Sequence, residues 1–147
     1  MDIQLTPEQI NQLKLLQTFH LAERSIRNGD NEIMGQFQLT PSQFYVLNTL
    51  YQFGPLHIGE IIGKILSTSG NMTVVIRNME KSGLIERVSD SVDKRSYLIS
   101  LTEFGKKQLL NLLPEYTKCL AQRFRLLTDE DQKTLQDLLE KLIGKEI

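Results

Sequence analysis

Two hydrophobic periods divide this chain. From the N-terminus to about residue 83, apolar positions fall three or four apart, the spacing of one helix face. Ile10, Leu13, Leu16 and His20 share the first such face. Thr6-Pro7-Glu8-Gln9 ahead of it combines a Thr cap, a Pro at the first helical position and a Gln three residues on. Asn28-Gly29-Asp30-Asn31 reads as a stop, so a first helix is predicted from about Pro7 to Asn28. Thr40-Pro41-Ser42-Gln43 repeats the start signal, and Phe44, Leu47, Leu50 and Tyr51 supply a second helix ending at Phe53-Gly54-Pro55. Ile58, Ile61, Ile62 and Ile65 predict a compact third helix to about Leu66. After the polar break Ser67-Thr68-Ser69-Gly70, Met72, Val75, Ile76 and Met79 predict a fourth, stopped at Ser82-Gly83.

The period then shortens to two. Leu84 to Val88 is β-compatible, Ser89 to Lys94 is a charged turn, and Tyr97, Ile99 and Leu101 alternate within a second strand from Ser96. Helical spacing returns after Thr102 with Leu109, Leu112, Leu113, Tyr116 and Leu120; Pro114 inside this stripe should kink the helix rather than end it. Thr128-Asp129-Glu130-Asp131 starts a last helix with Leu135, Leu138, Leu139 and Leu142 on one side. The expected fold is mainly α with a small β-hairpin wing. It is a winged helix-turn-helix between long, amphipathic N- and C-terminal helices, divided at 1–38, 39–101 and 102–147.

A helix-turn-helix lays its second helix in the DNA major groove, N-terminal residues toward the base edges. With Met72, Ile76 and Met79 turned inward, Val74, Arg77 and Lys81 face outward, flanked by Asn71, Thr73 and Asn78. Ser67, Thr68 and Ser69 offer hydroxyls and free N–H groups to phosphate. Arg77 suits guanine or phosphate, Asn71 and Asn78 suit adenine, and Val74 suits a thymine methyl. The bland alternative for Arg77 is a surface ion pair with Glu80.

Charge sharpens this reading. The 147 residues carry 17 Lys+Arg and 18 Asp+Glu, a net charge of −1, which argues against a polycationic coat for nucleic acid. Residues 64–107 nevertheless sum to +3 and the remainder to −4. A locally basic surface on a neutral chain fits a site-specific reader. No apolar run is long enough to span a bilayer and no secretory signal is visible, so no membrane partner and a cytoplasmic location are expected. With one cysteine, Cys119, and two histidines, His20 and His57, neither a disulfide nor a metal site is expected. No cofactor motif and no catalytic motif stand out, which argues against an enzyme.

Asp93-Lys94-Arg95-Ser96-Tyr97-Leu98-Ile99-Ser100-Leu101-Thr102-Glu103-Phe104-Gly105 resembles the wing signature of MarR-family transcriptional regulators: Asp, one residue, Arg, an apolar strand, Leu-Thr, and Gly three after the Thr. Leu39-Thr40 with Phe44 and Leu47, Gly54-Pro55, the Thr73-containing helix, Gly83-Leu84, Pro114 and Leu127 extend the resemblance over residues 39–143. It implies a homodimeric repressor, its long N- and C-terminal helices serving as dimerisation helices, that binds double-stranded DNA at a palindromic operator. Lys94 and Arg95 would sit on the wing, Arg95 would enter the minor groove, and Asp93 would brace the wing. Many members have a basic residue just after the Thr, where this chain has Val74, so base preference does not carry over. The run Thr68 to Val75 is similar to a branch that includes quinone-responsive regulators, which implies a small phenolic or quinone-like effector.

Phe19, His20, Arg24, Phe44 and Tyr51 are candidates to wall an effector pocket between the first helix and the DNA-binding lobe. Two other readings stay open: a winged-helix module that binds protein, and a thiol switch through Cys119. Set against the latter is a small, inert, buried thiol.

Overall fold

The computed structural model describes residues 4–65, 69–93 and 95–144. The elements are α1 (Pro7–Gln36), α2 (Pro41–Phe53), α3 (Ile58–Ile65), α4 (Ser69–Lys81), β1 (Ile85–Ser89), β2 (Tyr97–Leu101), α5 (Glu103–Phe124) and α6 (Asp129–Leu142). Leu66, Ser67, Thr68 and Lys94 lie outside the described residues.

Among the described residues, three helices start on complete capping boxes. Thr6, Thr40 and Thr128 each accept a backbone N–H three residues on through their hydroxyl, and Gln9, Gln43 and Asp131 each reach back to the cap N–H. Two hydroxyl and backbone donors of Thr128 hold the Asp131 carboxyl below its ordinary range.

The first helix does not stop at Asn28. It continues through Gly29 for two further turns, because the residues beyond the turn signal are apolar and needed in the core. Ile33 and Met34 are buried, and buried Asp30 accepts a hydrogen bond from the Tyr45 hydroxyl of α2 at 3.1 Å. Packing outweighs the roughly 1 kcal/mol that a helical Gly costs. The true stop is a Schellman motif. Leu39 N–H reaches Met34 O at 3.0 Å and Gln38 N–H reaches Gly35 O at 3.1 Å, with Gln38 left-handed at φ 58°. The motif's apolar contact positions, Met34 and Leu39, are both buried.

α4 ends the same way, here with a glycine. Leu84 N–H bonds Met79 O, Gly83 N–H bonds Glu80 O, and Gly83 has φ 73°. The chain then turns directly into β1. β1 and β2 pair antiparallel with Ile85 opposite Leu101 and Ser89 opposite Tyr97. Leu56, in the α2–α3 connection, adds a one-residue bridge to Ile99 through bonds of 3.1 and 2.8 Å, which fastens the hairpin to the helices.

Residues 1–112 form one compact unit. Its core gathers Phe44, Val46, Leu47 and Leu50 of α2, Ile61 of α3, Met72, Ile76 and Met79 of α4, Ile85 and Ile99 of the hairpin, and Leu109 and Leu112 of α5. Residues 113–147 form a second unit, holding the rest of α5 and α6. α5 passes through Pro114 without ending.

Thr102 joins hairpin to α5. Its hydroxyl donates to Gly83 O at 2.6 Å and accepts the Gly105 N–H at 3.0 Å, capping the helix. A Cβ on Gly105 would overlap the Leu84 carbonyl. The Leu-Thr-x-x-Gly spacing therefore has a local cause: Thr caps α5, and Gly admits the strand backbone against its first turn.

Candidate nucleic-acid interface

α4 is built to show one face. Met72, Ile76 and Met79 are fully buried, each worth about 2–5 kcal/mol on truncation to Ala. Asn71, Thr73, Val74, Arg77, Asn78 and Lys81 are exposed, so every described α4 candidate from Asn71 onward lies on the open surface. Ser69 is the first residue of the helix. Val74 is 42% exposed, an apolar side chain kept wet within a polar face.

Glu80 does not pair with Arg77. It is held by Arg87 of β1, whose Nε and Nη2 donate to the two carboxylate oxygens at 2.8 and 3.1 Å. This hydrogen bonding, opposed by partial burial, raises the Arg87 pKa. The planar fork ties the strand to the C-terminal half of α4. Arg77 makes no ion pair among the described residues.

The wing tip is ordered by two aspartates. Asp93 Oδ1 accepts the Arg95 N–H at 3.0 Å, and Asp93 O accepts the Ser96 N–H at 2.9 Å and the Ser96 hydroxyl at 3.0 Å. Asp90 Oδ1 accepts the Val92 N–H at 2.8 Å. That bond is the largest of several influences that lower the Asp90 pKa, with His57 contributing a smaller electrostatic share. Arg95 is exposed beside this braced turn.

His57 has a place that the sequence did not disclose. It precedes α3, and its backbone N–H donates to Glu60 Oε2 at 2.8 Å. Its ring reaches the wing, with Nε2 3.2 Å from Asp90 Oδ2 and Nδ1 3.2 Å from the Tyr97 carbonyl. The partners lie 33 and 40 residues away, beyond any local pattern.

The effector candidates are dispersed. His20 and Arg24 line an open groove on α1 together with Leu13, Leu16 and Leu21. Phe19 is exposed beside His20, the two rings edge to face at 6.0 Å. Phe44 is buried in the core against Tyr45, and Tyr51 is exposed on α2. A separate open pocket of about 420 Å³ is lined from α2 and α3 by Tyr45, Asn48, Thr49, Gln52, Phe53, Lys64 and Ile65. Cys119 is half-buried on α5. Among the described residues no cluster of His, Cys, Asp or Glu could hold a metal, and no helix is long and apolar enough to cross a membrane.

This arrangement agrees with what the chain resembles. The MarR family profile matches residues 39–97. The HTH-type transcriptional regulator YsmB of Bacillus subtilis (strain 168) is 33% identical over 117 residues, 80% of each chain. A MarR family protein from Bacillus stearothermophilus shares the fold at TM-score 0.69 and 25% identity, covering 97% of this chain and 98% of that one. A mutant MarR from E. coli complexed with operator DNA superposes at TM-score 0.83 and 22% identity, covering 91% of this chain and 96% of the other. The B. subtilis relative is an HTH-type regulator of transcription. With the exposed face of α4, the braced wing and the matching family profile together, the chain belongs to the MarR family of winged helix-turn-helix, DNA-binding transcriptional regulators.

Proposed function

We propose that the chain works in the cytoplasm as a homodimeric repressor that reads a palindromic operator and is released by a small-molecule effector. One observation carries the DNA-reading part: α4 presents Asn71, Thr73, Val74, Arg77 and Asn78 on an exposed face, while its other face is locked into the core. In this reading Arg77, Asn71 and Asn78 meet base edges, Val74 meets a thymine methyl, and Ser67, Thr68, Ser69 and Thr73 meet backbone phosphates. Lys94 and Arg95 follow the minor groove, with Asp93 holding the wing tip in shape. The operator-bound E. coli neighbour has this fold.

Dimerisation is supported by apolar surface that a lone chain leaves in water. On α1, Ile10, Leu13 and Leu16 are each more than 40% exposed, and on α6 so are Leu135, Leu138 and Leu142. Contiguous apolar faces of this kind mark association surfaces, and a second copy, through residues 1–38 and 102–147, is the proposed cover. Two-fold symmetry then sets half-sites about one helical turn apart.

Release would follow from a phenolic or quinone-like molecule that binds one lobe spacing better than the other. His20 and Arg24, on one groove beside apolar α1 residues, offer polar and cationic contacts for such a ring. Phe44, buried as it is, could act there only through repacking.

The test is selection of bound duplexes from a random pool, followed by titration of the winner against Arg77→Ala and Arg95→Ala. Palindromic enrichment that both substitutions weaken supports the proposal; binding indifferent to both removes the site assignment.

A further inference from the structure

We infer that Arg87 is a specificity-determining positioning residue: by holding the Glu80 carboxylate, it keeps the Arg77 guanidinium available to DNA. The inference rests on the operator-binding reading above.

Base reading by α4 has an internal competitor. The helix carries one acidic residue, Glu80, three positions after Arg77. Residues at that spacing are neighbours on a helix surface, with Cβ atoms about 5–6 Å apart, and an Arg–Glu pair there is ordinarily attractive. Arg77 is also the α4 side chain whose fork suits a guanine edge. A loose Glu80 would therefore offer Arg77 a carboxylate in place of a base. It would also set a negative charge beside the phosphates that the same face must approach.

The hairpin removes that competitor. Arg87 lies two residues after buried Ile85 on β1, so both share the strand face turned toward the helices. Arg87 Nε and Nη2 donate to Oε1 and Oε2 of Glu80 at 2.8 and 3.1 Å. Both carboxylate oxygens are engaged by a planar fork that a Lys could not reproduce. The Glu80 side chain is 25% exposed, whereas Arg77 stands on the open surface and makes no ion pair among the described residues. The strand that supplies Arg87 is itself anchored. Arg87 pairs with Ile99 in the ladder, and Ile99 exchanges two backbone bonds with Leu56.

The fork also ties β1 to α4, and the two roles differ in what removing the carboxylate does. If the tie alone matters, Arg87→Ala stays defective whatever residue 80 is. If Arg87 acts by withholding a carboxylate from Arg77, Glu80→Gln is harmless and repairs Arg87→Ala.

The experiment measures affinity of the full-length protein, at about 100 mM salt, for a duplex enriched from a random pool. The same duplex altered at the base pair whose preference Arg77→Ala relaxes runs beside it. Arg87→Ala should bind the enriched duplex about two- to fivefold more weakly, the range of an exposed ion pair, with its preference at that base pair reduced. Adding Glu80→Gln to Arg87→Ala should return both values to the parent's. In an Arg77→Ala background, Arg87→Ala should have no further effect. Parental affinity in Arg87→Ala, a loss that Glu80→Gln does not repair, or an equal loss in the Arg77→Ala background overturns the inference while leaving operator binding intact. Should circular dichroism show Arg87→Ala unfolded, Glu80→Gln alone decides: affinity at or above the parent's supports the inference, and affinity below it refutes it. Arg77 Nε–H spectra of the DNA-free protein supply a second readout. The signal should move in Arg87→Ala and return when Glu80→Gln is added; no movement refutes the competition. If no duplex is ever enriched, the operator reading fails and this role fails with it.

Discussion

Gly105→Ala should be among the most damaging single-methyl changes in the chain. The added Cβ would overlap the Leu84 carbonyl oxygen and crowd the rest of that peptide unit. The same oxygen accepts the Thr102 N–H at 3.3 Å and the Thr102 hydroxyl at 3.2 Å. The neighbour to be displaced is backbone, so it cannot swing aside as a flexible side chain would. Relief requires moving the end of α4 and the start of β1 away from α5. Overpacking of this kind costs about 1–3 kcal/mol. Weakening the two Thr102 bonds adds about 1 kcal/mol, and a gain in helix propensity returns somewhat under 1 kcal/mol. The expected net loss is about 1–3 kcal/mol, a sizeable part of a typical domain's 5–15 kcal/mol. Gly63→Ala is the matched control. Gly63 lies within α3 with open space where its Cβ would go, so that change should stabilise by about 0.5–1 kcal/mol. Urea unfolding at equal protein concentration, with equal slopes, reads both differences. If Gly105→Ala falls within about 0.5 kcal/mol of the parent, an ordinary surface value, the account of the Leu-Thr-x-x-Gly spacing is wrong.

Other substitutions separate the roles proposed for the interface. Arg95→Ala should weaken binding to all duplexes and lower the log–log salt slope by about 1, read by fluorescence anisotropy at several salt concentrations. Arg77→Ala should instead lose about 1–3 kcal/mol at one base pair of the site and relax preference there, read by competition with single-base operator variants. Leu16→Glu, on the exposed stripe of α1, should shift the protein from dimer to monomer in sedimentation velocity, since each buried Leu is worth about 1.5–3 kcal/mol and symmetry counts it twice. The folded-state pKa of Asp131 is depressed by its Thr128 donors, so its stabilisation of α6 is complete above about pH 4 and lost as pH falls further. Far-UV circular dichroism should show this acid-side loss of helix reduced in Asp131→Ala.

The parts of the fold legible in the sequence are those set by local chemistry. Thr40 with Gln43 announced α2, Thr128 with Asp131 announced α6, and alternation at Tyr97, Ile99 and Leu101 announced β2 within a residue of its observed ends. The open face of α4 also followed from period alone, since burying Met72, Ile76 and Met79 leaves Val74 and Arg77 outside. What was not legible depends on distant partners. The turn signal at Asn28-Gly29 was overridden because Asp30, Ile33 and Met34 find their places against α2, a contact no local window contains. Leu56 reads as loop but pairs with Ile99, 43 residues on. Glu80 looked like a partner for Arg77 one turn away, yet Arg87 offers it a planar two-bond fit across the strand. His57 carried no local hint of its bonds to Asp90 and Tyr97. In the effector region, helical spacing could place His20 and Arg24 on one groove, but could not tell that Phe44 is needed in the core.

The most direct test of the central claim is selection of bound sequences from a random duplex pool at about 50–100 mM salt, where phosphate contacts still contribute and specific sites outcompete background. The account predicts enrichment of a two-fold symmetric sequence with half-site centres about one helical turn apart, with thymine favoured at the position that Val74→Ala relaxes. Sequences enriched without symmetry, or no enrichment at any protein concentration, would contradict it.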